Sequence, residues 1–131
     1  AQSIQEVMSM TIIRIEHIQL AMPAGKETEA RHFYGTALGL AEVPKPPHLA
    51  KRGGCWFESG QARVHLGVDP DFHAARKAHP AFLIDETESL ASKLEAAGHE
   101  VRWDEGIAEY KRFFVDDAVG NRLEFMAAID L

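Results

Sequence analysis

Four side chains able to ligate a metal occupy matching places in the two halves of this 131-residue chain. His17 and His65 lie near the start and end of the first half, His79 and Glu124 near the start and end of the second. His17 and His79 are 62 residues apart, His65 and Glu124 are 59 apart. This near-repeat predicts two copies of one βαβββ unit, each giving a first-strand and a last-strand residue to a shared site. Imidazole nitrogens and a carboxylate suit a divalent transition metal, one of Zn, Ni, Fe, Co or Mn, better than magnesium or calcium. The four donors would saturate a tetrahedral ion and leave an octahedral one two open positions.

With open positions, an ion could hold a pair of substrate oxygens, polarise a carbonyl or lower the pKa of bound water. As Fe(II) it could also take dioxygen. Glu124, the one carboxylate of the four, is the candidate for a ligand that doubles as base. His65 is the second candidate for moving the proton.

The elements that must position these residues follow from hydropathy. Residues 12–22, IIRIEHIQLAM, alternate as a strand with His17 and Gln19 on one face and Ile18 and Leu20 on the other. The stretch 27–40 carries Ala30, Phe33, Tyr34 and Leu38 at helical spacing and ends at Gly39. Three short strands are expected at 41–43, 54–58 and 62–68. A connector over 69–78 leads to a second copy: strand 79–85, a helix stopped by Gly98, then strands at 99–103, 112–116 and 122–127. Residues 1–11 read as a flexible leader before one domain over 12–131. Its first module is 12–68 and its second 79–128. The expected class is α+β, a cupped mixed sheet with helices on the convex side. Gln19, Gly67, Ala81 and Met126 share the ligand face and leave room for an ion and a small molecule.

Other residues have a bland reading beside a functional one. Arg63 and Arg122 stand two residues before His65 and Glu124 and could each hold a carboxylate, or pair with an acid at the sheet rim. Trp56, Trp103 and Tyr110 could floor a partly apolar substrate pocket, or serve as packing. Trp103 is read as the counterpart of Trp56 in the second module. Lys45, Lys51 and Arg52 form either a solvated loop face or an anion clamp at the cleft mouth. His32, His48, His73 and His99 read as packed or surface groups. Cys55, the single cysteine, precludes an internal disulfide and suits a reducing cytoplasm. A formal charge of −6 with scattered basic residues argues against nucleic acid. No apolar run is long enough for a membrane span.

The segments HIQLAMP, ARHFYGTALGL and FFVDDAVGNRLEF resemble hallmark stretches of the vicinal oxygen chelate superfamily, the glyoxalase/bleomycin-resistance/dioxygenase proteins. The resemblance runs from Ile12 to Ala128. It implies His17 and His79 as first-strand ligands, Glu124 as a last-strand ligand, and His65 at a place where glyoxalases carry glutamate. Relatives that detoxify fosfomycin use the equivalents of His17, His79 and Glu124. Ring-cleaving relatives also use two histidines and a glutamate. The resemblance further implies a homodimer acting on a small molecule, with sites between subunits. The expected activity is a metal-dependent lyase or isomerase that moves a proton. The alternatives are an Fe(II)-dependent extradiol-type dioxygenase and a non-catalytic binder of the bleomycin-resistance type. The chain departs from the family in reading Asp117-Ala118-Val119-Gly120-Asn121 where Asp-Pro-x-Gly-Asn is usual. Its Tyr110–Phe114 stretch also matches the phosphonate grip of the fosfomycin transferases poorly.

Overall fold

The computed structural model describes residues 10–129, so most of the expected leader lies outside the described residues. In chain order the elements are β1 (Ile18–Met22), α1 (Glu27–Ala30), β2 (Ala41–Val43), α2 (Pro47–Ala50), β3 (Cys55–Ser59), β4 (Ala62–Val68), β5 (Ala81–Leu83), α3 (Thr87–Ala96), β6 (Arg102–Asp104), β7 (Tyr110–Asp116) and β8 (Arg122–Ala128). A π-helical stretch, Arg31–Ala37, continues α1. The class is α+β, as expected.

The strands form two four-stranded sheets of identical topology, β1-β4-β3-β2 and β5-β8-β7-β6. In each, the outermost strand runs parallel to its neighbour and the other pairings are antiparallel. Register makes the duplication quantitative. Gln19 and Trp56 both pair with His65, while Ala81 and Phe114 both pair with Glu124. His65 and Glu124 are therefore equivalent, and the counterpart of Trp56 is Phe114, not Trp103.

The first strand is shorter than the alternation suggested. Ile18 pairs with Val64, so Glu16 would fall opposite Ala62, the first residue of β4, and pairing N-terminal to Glu16 would run into the turn. Ile12, Ile13 and Ile15 are accordingly exposed. His79 also precedes its strand, because Pro80 has no N–H to donate to a ladder. The strand expected at 99–103 is displaced to Arg102–Asp104, where partners on β7 exist.

One core lies between the sheets and the helices. Leu20, Phe57, Val64 and Leu66 from one module meet Leu94, Phe113, Leu123 and Phe125 from the other, with Phe33 and Tyr34. Alternation puts these residues on one face and the candidate site on the other. A buried polar knot ties the modules together. Tyr34 Oη donates to Asp117 Oδ2 at 2.6 Å, and Asn121 Nδ2 donates to the Ala21 carbonyl at 2.8 Å. Asp117 Oδ1 accepts from the Val119 and Asn121 amides, and Gly120 at φ +96° closes the turn. Among the described residues no helix is long and apolar enough to cross a membrane.

Candidate functional site

The second module carries a connected polar chain. His79 Nδ1 lies 2.8 Å from the Lys77 carbonyl, an acceptor only, so Nδ1 carries the proton. His79 Nε2 lies 2.9 Å from Glu124 Oε1. In the neutral tautomer that nitrogen would turn a lone pair toward a carboxylate. A metal ion held by both atoms would relieve that repulsion. Two ligands at right angles about an ion at ~2.1 Å are roughly 3 Å apart, so the pair fits a divalent transition ion. An imidazole whose other N–H is held by a backbone carbonyl is also the usual setting of a ligating histidine.

Glu124 is buried, and its second oxygen is also engaged. Arg112 Nη1 donates to Oε2 at 2.9 Å, and Arg112 Nη2 donates to Asp104 Oδ1 at 2.7 Å. Burial alone would raise the Glu124 pKa, but the hydrogen bonds from His79 and Arg112 outweigh it and hold the group below the usual carboxylate range. Phe114 packs edge-on against His79, with the Arg112 and Arg122 guanidinium groups over its ring. Sequence reading missed Arg112. The signal was parity: Tyr110, Arg112 and Phe114 share one face of β7, the face that meets Glu124.

The first module holds its donors differently. The His65 ring is sandwiched between Trp56, at 4.0 Å and 5°, and His17, at 4.1 Å and 19°. Burial, and then the neighbouring His17, lower the His65 pKa, so His65 is neutral near pH 7. Among the described residues no group of three or more His, Cys, Asp or Glu side chains comes together to hold a metal. The four expected donors thus stand in this chain as two pairs.

The remaining candidates divide. Gln19 lies beside His65 and reaches across Gly67, where an added Cβ would meet its Nε2 at 2.5 Å. Arg63 pairs with Glu16 at 2.6 Å and with Glu58 at 3.5 Å, the rim arrangement. Arg122 lies against Phe114 with its Nε buried and unpartnered among the described residues. Tyr110 and Arg112 line a cavity of about 650 Å³ under the 105–109 loop. Trp103 pairs with Phe113, so its ring starts from the core-side face, and it reaches that cavity around the sheet edge. A second cavity, of about 290 Å³, lies under the 44–54 loop beside Gln19 and Trp56. Cys55 is buried, and burial pushes its thiol up to about 11, which makes it a poor nucleophile.

No family model matches the sequence, and no curated protein matches it. Solved structures do. A glyoxalase family protein from Bacillus anthracis is 44% identical, with 92% of this chain and 98% of that chain covered and a TM-score of 0.88. A glyoxalase/dioxygenase from Nostoc punctiforme is 18% identical over 99% of this chain and 97% of that chain, with a TM-score of 0.73. TnmS3, an antibiotic binding protein from Streptomyces sp. CB03234, is 14% identical over 92% and 99%, with a TM-score of 0.71.

Proposed function

The chain belongs to the glyoxalase family of the vicinal oxygen chelate superfamily, and from that premise we propose that it is a metal-dependent lyase or isomerase acting on a small oxygen-rich molecule. The observation that carries this reading is the His79–Glu124 pair, 2.9 Å apart with the histidine tautomer fixed by Lys77. His79 and Glu124 would hold the ion, with His17 contributed by a second copy of the chain. A bound ion would supply Lewis-acid polarisation of a substrate oxygen.

The chain's own residues divide the remaining work. Arg112 fixes the Glu124 carboxylate by its outer oxygen and leaves the inner one beside His79. That double engagement makes Glu124 a poor base. His65 is the better proton acceptor: it is neutral, and its ring is clamped on both faces while its nitrogens remain at the ring edge. Trp56 and Phe114, equivalent by register, would wall the substrate from the two sides.

The reading calls for a homodimer, since the donors stand as two pairs within one chain. Topology supports it: β1 and β5 are both edge strands, and Leu83 on β5 is 72% exposed.

The test is a calorimetric titration of metal-free protein with Ni(II), Co(II), Zn(II), Mn(II) and, without oxygen, Fe(II). One ion per chain is expected, with at least tenfold weaker binding in His79→Ala. Proton transfer is then read under nitrogen as deuterium uptake from D₂O next to a carbonyl in candidate hydroxyketones and ketoaldehydes. Ion binding untouched by His79→Ala would refute the site. Turnover that needs both Fe(II) and oxygen would move the assignment to ring cleavage.

A further inference from the structure

We propose that the cavity under the 44–54 loop is an oxyanion subsite, taking a carboxylate or phosphate group of the substrate between Lys45 and Arg52. The inference names a substrate class for the proposed lyase, and to that extent rests on that reading.

The cavity has a floor, a wall and two cations. Trp56 and Gly67 form the floor, Gln19 stands at its side, and Leu49 covers it from the loop. The loop is built to stay there. Gly53 and Gly54 take φ of +76° and +81°, and an added Cβ on Gly54 would come within 2.1 Å of the Leu66 carbonyl oxygen. The backbone therefore passes directly over β4, a path open only to glycine. Glu27 fastens the same point by accepting the Gly54 N–H at 2.9 Å.

Charge singles this cavity out. The chain is acidic overall, and most other cations near the candidate site are engaged; Arg122, which forms no ion pair among the described residues, lies against Phe114 and lines neither cavity. Arg63 pairs with Glu16 and Glu58, and Arg112 with Glu124 and Asp104. Lys111, at the other cavity, pairs with Glu88. Among the described residues Lys45 and Arg52 form no ion pair. The Lys45 ammonium donates to the Gly53 carbonyl, which leaves two N–H groups for a ligand. The charge of Glu27 reaches Lys45, but its carboxylate is committed to the Gly54 amide. The Gln19 amide, without a hydrogen-bond partner among the described residues, adds a neutral donor in reach of the same space. Two unpaired cations and a free amide over an aromatic floor suit a small oxyanion.

The place also fits a substrate held at the candidate centre. Trp56 is at once the floor of this cavity and the ring stacked on His65. An anion seated here would put the rest of a short molecule against His65. The equivalent cavity under the 105–109 loop, with Ile107, Tyr110 and Ile129, offers no unpaired cation and would take the neutral end.

The probes are inorganic phosphate, malonate and, as the neutral control, malonamide, titrated into metal-free protein. In a Trp103→Phe background Trp56 is the single tryptophan, so its fluorescence reports this cavity. Saturable quenching by phosphate or malonate, and none by malonamide, is expected. Arg52→Gln and Lys45→Gln should each weaken binding by about tenfold, the size of one lost charge-assisted hydrogen bond. Lys51→Gln removes the same charge from the same loop outside the cavity and should leave binding within about twofold. Absence of saturation, or equal weakening by Lys51→Gln, overturns the proposal. Anion binding in protein that takes up no metal would leave the subsite standing and remove the lyase reading. Metal uptake without anion binding would do the reverse.

Discussion

Arg112 and Glu124 are diagonal neighbours across the paired strands β7 and β8, with Nη1 2.9 Å from Oε2. The same guanidinium reaches Asp104 at 2.7 Å, and Asp104 in turn accepts the Gly106 amide. One arginine thus couples the orientation of the candidate ligand to the loop that covers the larger cavity.

Removing that coupling should loosen the ligand. Arg112→Gln is expected to lower metal affinity about 10–100-fold, the range for a residue that orients a ligating group. Calorimetry with Ni(II) checks it. An unchanged dissociation constant would mean that Glu124 does not depend on Arg112.

Mixing two inactive chains tests the shared site. Dimers of His17→Ala alone and of Glu124→Ala alone should each bind metal weakly. Co-refolded mixtures should regain one full-affinity site per heterodimer, about half of the chains' molecules at equal input by random pairing. Recovery of none would place all donors within single chains or dissolve the site.

The buried knot should be costly to cut. Tyr34→Phe removes the hydroxyl that donates to Asp117, and a hydrogen bond to a charged group contributes about 1.5–3 kcal/mol. Urea unfolding should show a loss in that range with an unchanged denaturant slope. Burial, reinforced by Asp117, keeps the Tyr34 hydroxyl protonated well beyond its ordinary range, so the loss should not vary between pH 6 and 9.

Acid should weaken the metal-free protein in part through Glu27. The Gly54 amide, chiefly, holds the Glu27 carboxyl below its ordinary value against the opposing effect of burial. A group with a depressed folded pKa stabilises at neutral pH, and that contribution disappears as pH falls through the folded value. Glu27→Gln should therefore be less stable than the parent at pH 7, and the gap should shrink as pH falls below the ordinary carboxylate range and through the lowered folded value. A gap that stays constant would show that charge plays no part.

Two glycines on the same cavity should respond differently to alanine. At Gly54 the new methyl meets the Leu66 backbone at φ +81°, so Gly54→Ala should destabilise by more than ~2 kcal/mol. At Gly67 it meets only the flexible end of Gln19, so Gly67→Ala should cost less than ~1 kcal/mol. Thermal melts of the two variants decide it, and equal melting points would contradict the packing described.

Much of the frame was legible because duplication writes itself twice. Helix stops at Gly39 and Gly98, and strand-end polar residues at like spacing, were enough to give two βαβββ units. Strand limits were not legible, since Ile12, Ile13 and Ile15 look like strand residues and lack only a partner strand. The pairing of His79 with Glu124 could be anticipated from the repeat. The Trp56–His65–His17 stack could not, because it depends on which rings face each other across register. Arg112 escaped notice for a related reason: a residue twelve positions from Glu124 becomes its neighbour only through a hairpin. Trp103 was matched to Trp56 by residue type, but it lies on β6, the equivalent of β2, and only strand register identifies Phe114 as the counterpart.

The two copies keep a histidine, His17 and His79, and have diverged around it: His65 against Glu124, Gln19 against Ala81, Trp56 against Phe114, Gly54 against Arg112. In a two-fold assembly that shares sites, each mutation is written into both centres yet alters only one wall of each. Preference for the ion and preference for the ligand are then free to drift on separate halves of one gene.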